Sequence, residues 1–221
     1  MWLSRLRNLI RDPRRPTAPK PHRRRLLLEL LEDRSLPSTF NAASVADLIA
    51  DINAANLTGG NNTILLAPNT TFDLTAVNNT ANGANGLPVI ANKDSLTISG
   101  QGADIIQRDP GAPAFRLFDV GSGGSLTLTS LTLQYGLASG SGSSAEGGAI
   151  YNQGSLALNG VTVQNNTAQG SKGNGKNNGQ DAAGGGIWSG GNLTLASGTV
   201  MQSNQAVGGS GAYRTKSVRK K

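Results

Sequence analysis

The chain has 221 residues, a formal net charge of +7 and no cysteine. Without cysteine there is no disulfide scaffold or thiolate metal site, and the single histidine, His22, leaves no histidine-based triad in the rest of the chain. The positive charge lies at the two ends: residues 1–40 carry ten Lys/Arg against four Asp/Glu, residues 212–221 carry five basic groups, and residues 41–211 carry five basic against nine acidic groups. All 30 glycines lie in this acidic middle part. We therefore predict a basic N-terminal segment, a folded body over 41–211 and a basic tail.

The N-terminal segment has the composition of a disordered arm. Residues 1–25 combine mutually repelling arginines with four prolines, which forbid a continuous helix. A short apolar run over 26–31 follows, and a basic region before an apolar one is typical of export signals. Residues 31–38, Leu-Glu-Asp-Arg-Ser-Leu-Pro-Ser, resemble the LEPR-XLL segment of large secreted or surface proteins of certain bacteria. The resemblance implies export to the cell surface or beyond.

Two alternatives for this arm stay open. It is either a solvated basic tail without a targeting role, or a nucleic-acid-binding arm whose six net charges displace phosphate counterions. Because Trp2 is its only aromatic residue before Phe40 and the body is acidic, a nucleic-acid partner is not favoured. No run reaches the ~18 apolar residues of a membrane span, so no transmembrane span is predicted.

The body opens with a helix signal and two strand signals. Ser44-Val-Ala-Asp47 is a capping box ahead of an apolar stripe at helical spacing, which predicts one short helix ending near Asn56 and Gly59. Thr63–Leu66 and Thr71–Leu74 are predicted as short strands, and the Asn-rich stretch 78–86 is predicted as a loop.

From residue 87 onward the sequence repeats itself. An apolar residue precedes a leucine by six positions at Ile90 and Leu96, Val120 and Leu126, Ile150 and Leu156, and Ile187 and Leu193. The first three pairs are spaced by 30 residues and the last by 37, and the seven additional residues fall in the polar, glycine-rich loop 170–179. Since lengthening a loop costs little closure entropy, the insertion leaves the repeat intact.

Within each repeat, apolar and polar residues alternate with the period of a β-strand. The alternation slips by one residue at Thr129-Ser130 and at Asn159-Gly160, which predicts a bend between two short strands. A third strand is predicted earlier in each repeat, at Phe118-Asp-Val120, Ala149-Ile-Tyr151 and Gly186-Ile-Trp188. Three strands so short leave open edges within one unit but pair with the equivalent strands of the next. This predicts an all-β parallel β-helix of about four to five coils, capped by the helix.

Two side-chain ladders follow from the same geometry. Gln134 and Gln164 each follow the last strand-like run of a repeat, with Asn166 and Asn204 close by. Amide side chains stacked in successive coils form hydrogen-bonded ladders. Tyr151 and Trp188 occupy near-equivalent positions and are predicted to stack.

The repeats carry a family resemblance. Gly147-Gly-Ala-Ile150 followed by Val163-Gln-Asn-Asn166, and Gly185-Gly-Ile187 followed by Met201-Gln-Ser-Asn204, resemble the GGAI and FxxN repeat pair of polymorphic outer-membrane and autotransporter passenger proteins. The run 115–120 ahead of 126–133 is similar to bacterial right-handed β-helix repeat proteins. Together these resemblances cover residues 43–209. They imply a right-handed parallel β-helix and an adhesin-like role at the cell surface or outer membrane.

One cluster in the body has the residue types of acid–base chemistry. A glycosidase needs two facing carboxylates, and a polysaccharide lyase needs carboxylate-bound calcium with a basic residue. The candidate catalytic residues are Asp104, Arg108, Asp109, Arg116 and Asp119. Asp is common beside turn residues such as Pro110-Gly111 for its own backbone hydrogen bonds, so we interpret the cluster as structural.

The other candidate is a cation site. Glu146 and Asp181 precede the first strand of successive repeats and are candidate metal ligands, which we interpret as turn carboxylates. The glycine runs lack the Gly-Lys-Ser/Thr of a phosphate loop, and no cofactor is expected.

The sequence thus predicts a secreted or surface-exposed β-helix protein without catalytic activity, structural or adhesin-like, with surface glycans or cell-surface proteins as partners. The alternative is a polysaccharide lyase or hydrolase acting on acidic glycans. Because the repeats stop at Gly211 without a capping element, we expect a fragment of a longer surface protein or a frameshifted end.

Overall fold

The computed structural model describes residues 37–140, 145–174 and 177–211. The predictions for the basic arm, its export-type segment and the basic tail concern residues 1–36 and 212–221 and lie outside the described residues. The described part is mostly β, with one helix. Its elements are β1 (Ser38–Ala42), α1 (Val45–Thr58), β2 (Gly60–Leu66), β3 (Thr71–Leu74), β4 (Asp94–Arg108), β5 (Phe118–Val120), β6 (Ser125–Gln134), β7 (Leu137–Ser139), β8 (Ala145–Glu146), β9 (Ile150–Asn152), β10 (Ser155–Asn159), β11 (Thr162–Gln164), β12 (Thr167–Gln169), β13 (Ala182–Ala183), β14 (Ile187–Ser189), β15 (Asn192–Leu195), β16 (Val200–Gln202) and β17 (Gln205–Val207).

The capping signals place α1 where the sequence predicts it. Ser44 is the N-cap, and its Oγ accepts from the backbone N–H of Asp47 at 3.1 Å. The helix ends at Gly59, whose φ of 60° is in the left-handed region that suits glycine. Leu48, Ile52 and Ala55 are buried in the main core, so α1 covers the side of the core next to β1.

The folded body begins slightly earlier than predicted. Residues 38–40, assigned above to the basic segment, lie in β1, which pairs in parallel with β2 so that Phe40 lies opposite Ile64. The burial of β1 alternates, with Ala42 in the core. Sequence reasoning missed β1 because this strand has only five residues and directly follows Pro37 and a charged segment.

The largest sheet runs in the order β1-β2-β4-β6-β10-β15, and every pair along this path is parallel. Leu96, Leu126, Leu156 and Leu193 lie in one row across β4, β6, β10 and β15, as the repeat spacing predicts. Each strand therefore pairs with the equivalent strand one repeat away in the sequence. Paired residues of this row are 30 or more residues apart in the sequence, which leaves room for the crossover connection that parallel pairing requires.

A bend separates the two halves of each repeat, as predicted. In β6 it lies at Ser130, a non-glycine residue with φ of 54°, and in the next repeat it lies at Gly160 with φ of 61°. The second halves pair separately, with Val163 of β11 between Leu133 of β6 and Met201 of β16. Both halves direct their leucines and valines into one buried cluster.

Each repeat contains more strand segments than the three predicted. β7, β12 and β17 form one additional parallel sheet, and β8 and β13 form another. Their buried residues are Ala138, Ala145 and Ala168, which make a small separate core. Two- and three-residue strands of Ala, Ser and Gln do not produce the apolar alternation from which strands are predicted.

The predicted alignment of the Val120 and Ile150 anchors is wrong by two residues. In the sheet β5-β9-β14, Phe118 rather than Val120 lies opposite Ile150, and Ile150 lies opposite Ile187. The connection after β5 spans 121–124, whereas the connection after β9 spans only 153–154. The longer connection absorbs the offset, so the leucine row stays in register.

The predicted polar ladders form beside the second half-strands. Gln164 Nε2 donates to Gln134 Oε1 at 2.8 Å, and Gln202 Nε2 donates to Gln164 Oε1 at 2.6 Å. The ladder extends to Gln107 and ends on the Asp73 carboxylate. Asn166 and Asn204 form a second, inner ladder at 2.9 Å. Among the described residues, none of the helical segments is long and apolar enough to cross a membrane.

Candidate functional site

Asp104 lies at a bulge in β4. Residues 100–103 stand opposite Ser130 of β6, and the register resumes with Asp104 opposite Leu131. The Asp104 carboxylate is 1% exposed and accepts hydrogen bonds from the backbone N–H groups of Gln101 (2.6 Å), Gly102 (3.1 Å) and Thr70 (2.9 Å). Both of its oxygens are thus engaged in holding the bulge, and neither faces a substrate.

Arg108 and Asp109 are engaged by the backbone of the following turn. Arg108 donates to the carbonyl oxygens of Tyr135, Asp109 and Ala112 at 2.8–2.9 Å. Burial lowers the pKa of Arg108, and the nearby Asp109 charge partly offsets this effect. Asp109 Oδ1 accepts from the backbone N–H of Gly111 at 2.7 Å, the turn interaction that the Pro110-Gly111 sequence predicts.

Arg116 and Asp119 are brought together by a shared partner, Asn82. Arg116 donates to the carbonyl oxygen of Asn82 at 2.7 Å, and Asp119 Oδ2 accepts from the side-chain amides of Asn82 (3.0 Å) and Asn85 (3.4 Å). Arg116 is 5% exposed and Asp119 is fully buried. The Asn-rich segment, predicted only as a loop, therefore closes over these two charges. Sequence reasoning missed Asn82 and Asn85, because an asparagine-rich stretch does not indicate which side chains it covers.

An aromatic stack extends this cluster into later repeats. Tyr151 and Trp188 are opposite each other in β9 and β14, with ring centroids 4.6 Å apart and planes 6° apart, which confirms the predicted stacking. The Arg116 guanidinium carbon lies 4.9 Å from the centroid of the Tyr151 ring. A cation over a tyrosine that is itself stacked on a tryptophan is a stabilising arrangement across successive repeats. The cation of this stack was missed by sequence reasoning.

Burial dominates the electrostatics of this cluster. It raises the pKa of Asp119, although hydrogen bonds from Asn82 and Asn85 and the charge of Arg116 act in the opposite direction. It also lowers the pKa of Arg116 and raises that of Tyr151, the latter with a further contribution from Glu146. Asp119 Oδ1 and Asn85 Oδ1 are buried and accept no hydrogen bond from the described residues. The cluster is therefore closed to solvent and poorly suited to proton exchange with a substrate.

The raised pKa of Asp119 predicts a pH dependence of stability. A carboxyl whose pKa rises on folding from its ordinary 3.8 contributes stability that is complete below that value and is lost as the pH rises through the folded pKa. Asp51 and Asp94 are raised by burial as well and act in the same direction. We expect the free energy of unfolding, measured by urea titration, to fall as the pH increases from about 4.

The Asp119→Asn variant isolates the contribution of this carboxyl. The difference in unfolding free energy between the protein and this variant should shift in favour of the variant as the pH rises. Asp181→Asn, which makes the same substitution at an exposed carboxylate, serves as the control for the substitution itself. A profile that is the same in the protein and in Asp119→Asn would show that Asp119 is not perturbed by burial.

The two candidate metal ligands do not occupy equivalent places, contrary to prediction. Glu146 of β8 lies opposite Ala183 of β13, so Asp181 is displaced from Glu146 by two residues along the strand direction. The prediction rested on both residues preceding the first predicted strand of their repeats, whereas strand pairing fixes the register. Within the described ranges, no three His, Cys, Asp or Glu side chains are grouped to hold a metal ion.

A shallow groove of about 340 Å³ lies where the turns that precede β6, β10 and β15 are stacked, and its lining residue Gln153 donates to the Tyr151 hydroxyl at 2.8 Å. Its lining is uncharged and consists of Gly123, Gly124, Ser125, Gln153, Gly154, Ser155, Gly191 and Asn192. These residues donate and accept hydrogen bonds but supply no general acid, no general base and no nucleophile activated by a base.

No protein-family model, curated protein or solved structure matches this chain.

Proposed function

We propose that this protein is a right-handed parallel β-helix that acts without catalysis, as a structural and adhesin-like protein that is secreted or displayed on the cell surface. The observation that carries the proposal is the pairing of equivalent strands from successive repeats, in parallel and in register. Connections between parallel strands of one sheet are right-handed in nearly all proteins, which favours that hand here. The surface location rests on the resemblance of the N-terminal segment and the repeats to those of exported proteins.

The candidate acid–base residues support a non-enzymatic role. Asp104, Arg108 and Asp109 each bind backbone groups of their own turns, and the first two also bind backbone groups of neighbouring repeats. Arg116 and Asp119 are closed off by the Asn-rich segment. Catalysis on a glycan requires two ionisable groups that face the same sugar. Here Asp104, Arg108, Asp109 and Arg116 bind backbone groups, and Asp119 is bound by the side-chain amides of Asn82 and Asn85. The lyase or hydrolase alternative therefore has less support than the structural role.

The inserted loop 170–183 is the feature we propose for partner binding. Its described residues are anchored to the next repeat, since Gly173 donates to Ser210 and Gly209 donates to Gln180, both at 2.8 Å. Lys172 is exposed, and Lys172 and Lys176 are the only cations in the sequence between 117 and 211. The loop sequence carries Lys172 and Lys176 against one carboxylate, Asp181, and this net positive charge attracts acidic glycans.

Binding and turnover of alginate and pectin test this proposal together. We expect the protein to bind these glycans weakly and reversibly, and to release no unsaturated or reducing ends with or without calcium. Replacing both Lys172 and Lys176 with Gln should weaken binding about 10-fold, because each lost ion pair at an exposed site contributes up to ~1 kcal/mol. Lys93→Asn is the matched control, since it removes an exposed lysine whose φ of 69° asparagine tolerates.

Two results would contradict the proposal. Turnover that disappears in Arg108→Ala or Asp109→Ala would establish the enzyme alternative. If glycan binding weakens equally in Lys93→Asn and in the double Gln variant, the loop is not the binding element. The glycans would then be held only by non-specific electrostatic attraction to surface lysines.

A further inference from the structure

The strands β15, β16 and β17, here called the end layer, have neighbours on one side only. β15 pairs with β10, β16 with β11 and β17 with β12, and no described strand pairs with their other edges. Three adjacent strands therefore present backbone N–H and C=O groups without strand partners on that side. Such edges are sites at which another strand adds.

The side chains of the end layer are those of an interior. Leu193 and Leu195 are 41% and 50% exposed, although their row partners Leu156 and Leu158 are buried. Met201 is 42% exposed, whereas its partner Val163 is fully buried. The same inward positions are thus core in one repeat and surface in the next. A contiguous apolar patch bordered by free strand edges is typical of an interaction surface.

The end layer also lacks the charges with which proteins protect open edges. Residues 182–211 contain no Asp, Glu, Lys or Arg. Edge strands usually carry a lysine or another charge that prevents pairing with a second strand. A neutral apolar layer is complementary to another neutral apolar layer, since no like charges are brought together and no charge is desolvated.

The opposite end of the sheet does not match this surface. α1 covers the core beside β1 with Leu48, Ile52 and Ala55, and its exposed residues include Asp47. Head-to-tail stacking would place the end layer against this helix instead of against another apolar layer. Contact between two end layers avoids this mismatch and is the self-complementary, closed contact of a two-fold dimer.

We propose that two copies of this chain associate through their end layers, with strand edges of one copy pairing antiparallel to those of the other. The pairing satisfies the free backbone groups and covers Leu193, Leu195 and Met201. This dimer goes beyond the proposed function and rests on the strand pairing, the exposure and the lack of charge of the end layer. It would stand even if the protein bound no glycan.

Sedimentation equilibrium of the 221-residue chain tests the proposal, because it distinguishes a closed dimer from a monomer and from open-ended polymers. We expect a dimer, and we expect Leu195→Lys to weaken dimerisation about 100-fold or more, since two buried like charges cost several kcal/mol. Leu57→Lys is the control. Leu57 is 88% exposed on α1, so this variant should dimerise normally.

A mixture of two charge variants guards against a folding artefact. Leu195→Lys and Leu195→Glu should each be monomeric alone and should associate when mixed, because opposite charges then meet across the two-fold contact. A monomer for the unaltered chain at all concentrations, open-ended polymers, equal weakening by Leu57→Lys, or a mixture that stays monomeric would each overturn the proposal.

Discussion

Leu158→Ala is expected to lower the free energy of unfolding by about 3 kcal/mol, within the ~2–5 kcal/mol typical of a leucine removed from a packed core. Leu158 is fully buried on β10, between Leu128 on one side and Leu195 on the other. The truncation leaves a cavity between successive repeats, where neighbouring strands are held by backbone pairing and collapse poorly into the space. Urea denaturation followed by circular dichroism measures the loss.

The same row supplies a matched control. Leu195 occupies the equivalent position one repeat later but is 50% exposed. Leu195→Ala in dilute solution should cost less than about 1 kcal/mol, because much of the apolar surface that it removes is already in water. Equal losses from the two substitutions would mean that Leu158 is not packed between repeats, and the described register would be wrong.

Asn166→Ala is expected to lower the unfolding free energy by about 3 kcal/mol as well, for a different reason. Asn166 is fully buried. Its Oδ1 accepts from the backbone N–H of Gly136 at 2.8 Å, and its Nδ2 donates to Asn204 Oδ1 at 2.9 Å and to the carbonyl oxygen of Leu133 at 3.3 Å. Alanine leaves these three partners without this amide, and each unsatisfied buried group costs ~1–3 kcal/mol.

Asn204→Ala provides the comparison within the same ladder. Asn204 holds the equivalent place in the following repeat but is only partly buried. In the alanine variant, water can therefore replace some of the hydrogen bonds that its amide makes, such as the one to the carbonyl oxygen of Val163. We expect a loss of about 1 kcal/mol, measured by the same denaturation. Hydrogen exchange at the Gly136 amide adds a local readout, since this amide should lose protection in Asn166→Ala and keep it in Asn204→Ala. Retained protection in both variants would contradict the ladder.

The repeat is where sequence and structure agree most closely. The row of Leu96, Leu126, Leu156 and Leu193 follows from a spacing of 30 or 37 residues, because a strand too short to pair within its own unit finds its equivalent in the next. The bend at Ser130 likewise follows from a one-residue slip in the alternation of apolar residues. Both features are local patterns repeated often enough to be unambiguous.

The candidate site was predicted in part. Pro110-Gly111 predicts the turn hydrogen bond of Asp109, but residue types alone do not show which backbone groups Asp104 and Arg108 bind. Asp104, Arg108 and Asp109 have the composition of an acid–base cluster, yet each is directed to main-chain donors or acceptors near its own turn. Other partners are distant in the sequence: Thr70, directly before β3, donates to Asp104, and the carbonyl oxygen of Tyr135 accepts from Arg108. Such contacts between repeats cannot be inferred from a sequence until the register of the paired strands is known.

Periodicity, capping and spacing are local properties that recur along the chain. They are enough to predict the repeat, the parallel all-β class, the helix at its start and the stacking of Tyr151 on Trp188. Three further features became visible only in the folded chain: Asn82 and Asn85 close over Arg116 and Asp119, Glu146 and Asp181 are out of register, and Leu195 is exposed where Leu158 is buried. These depend on which repeat lies next to which, and burial is a property of neighbours rather than of the residue.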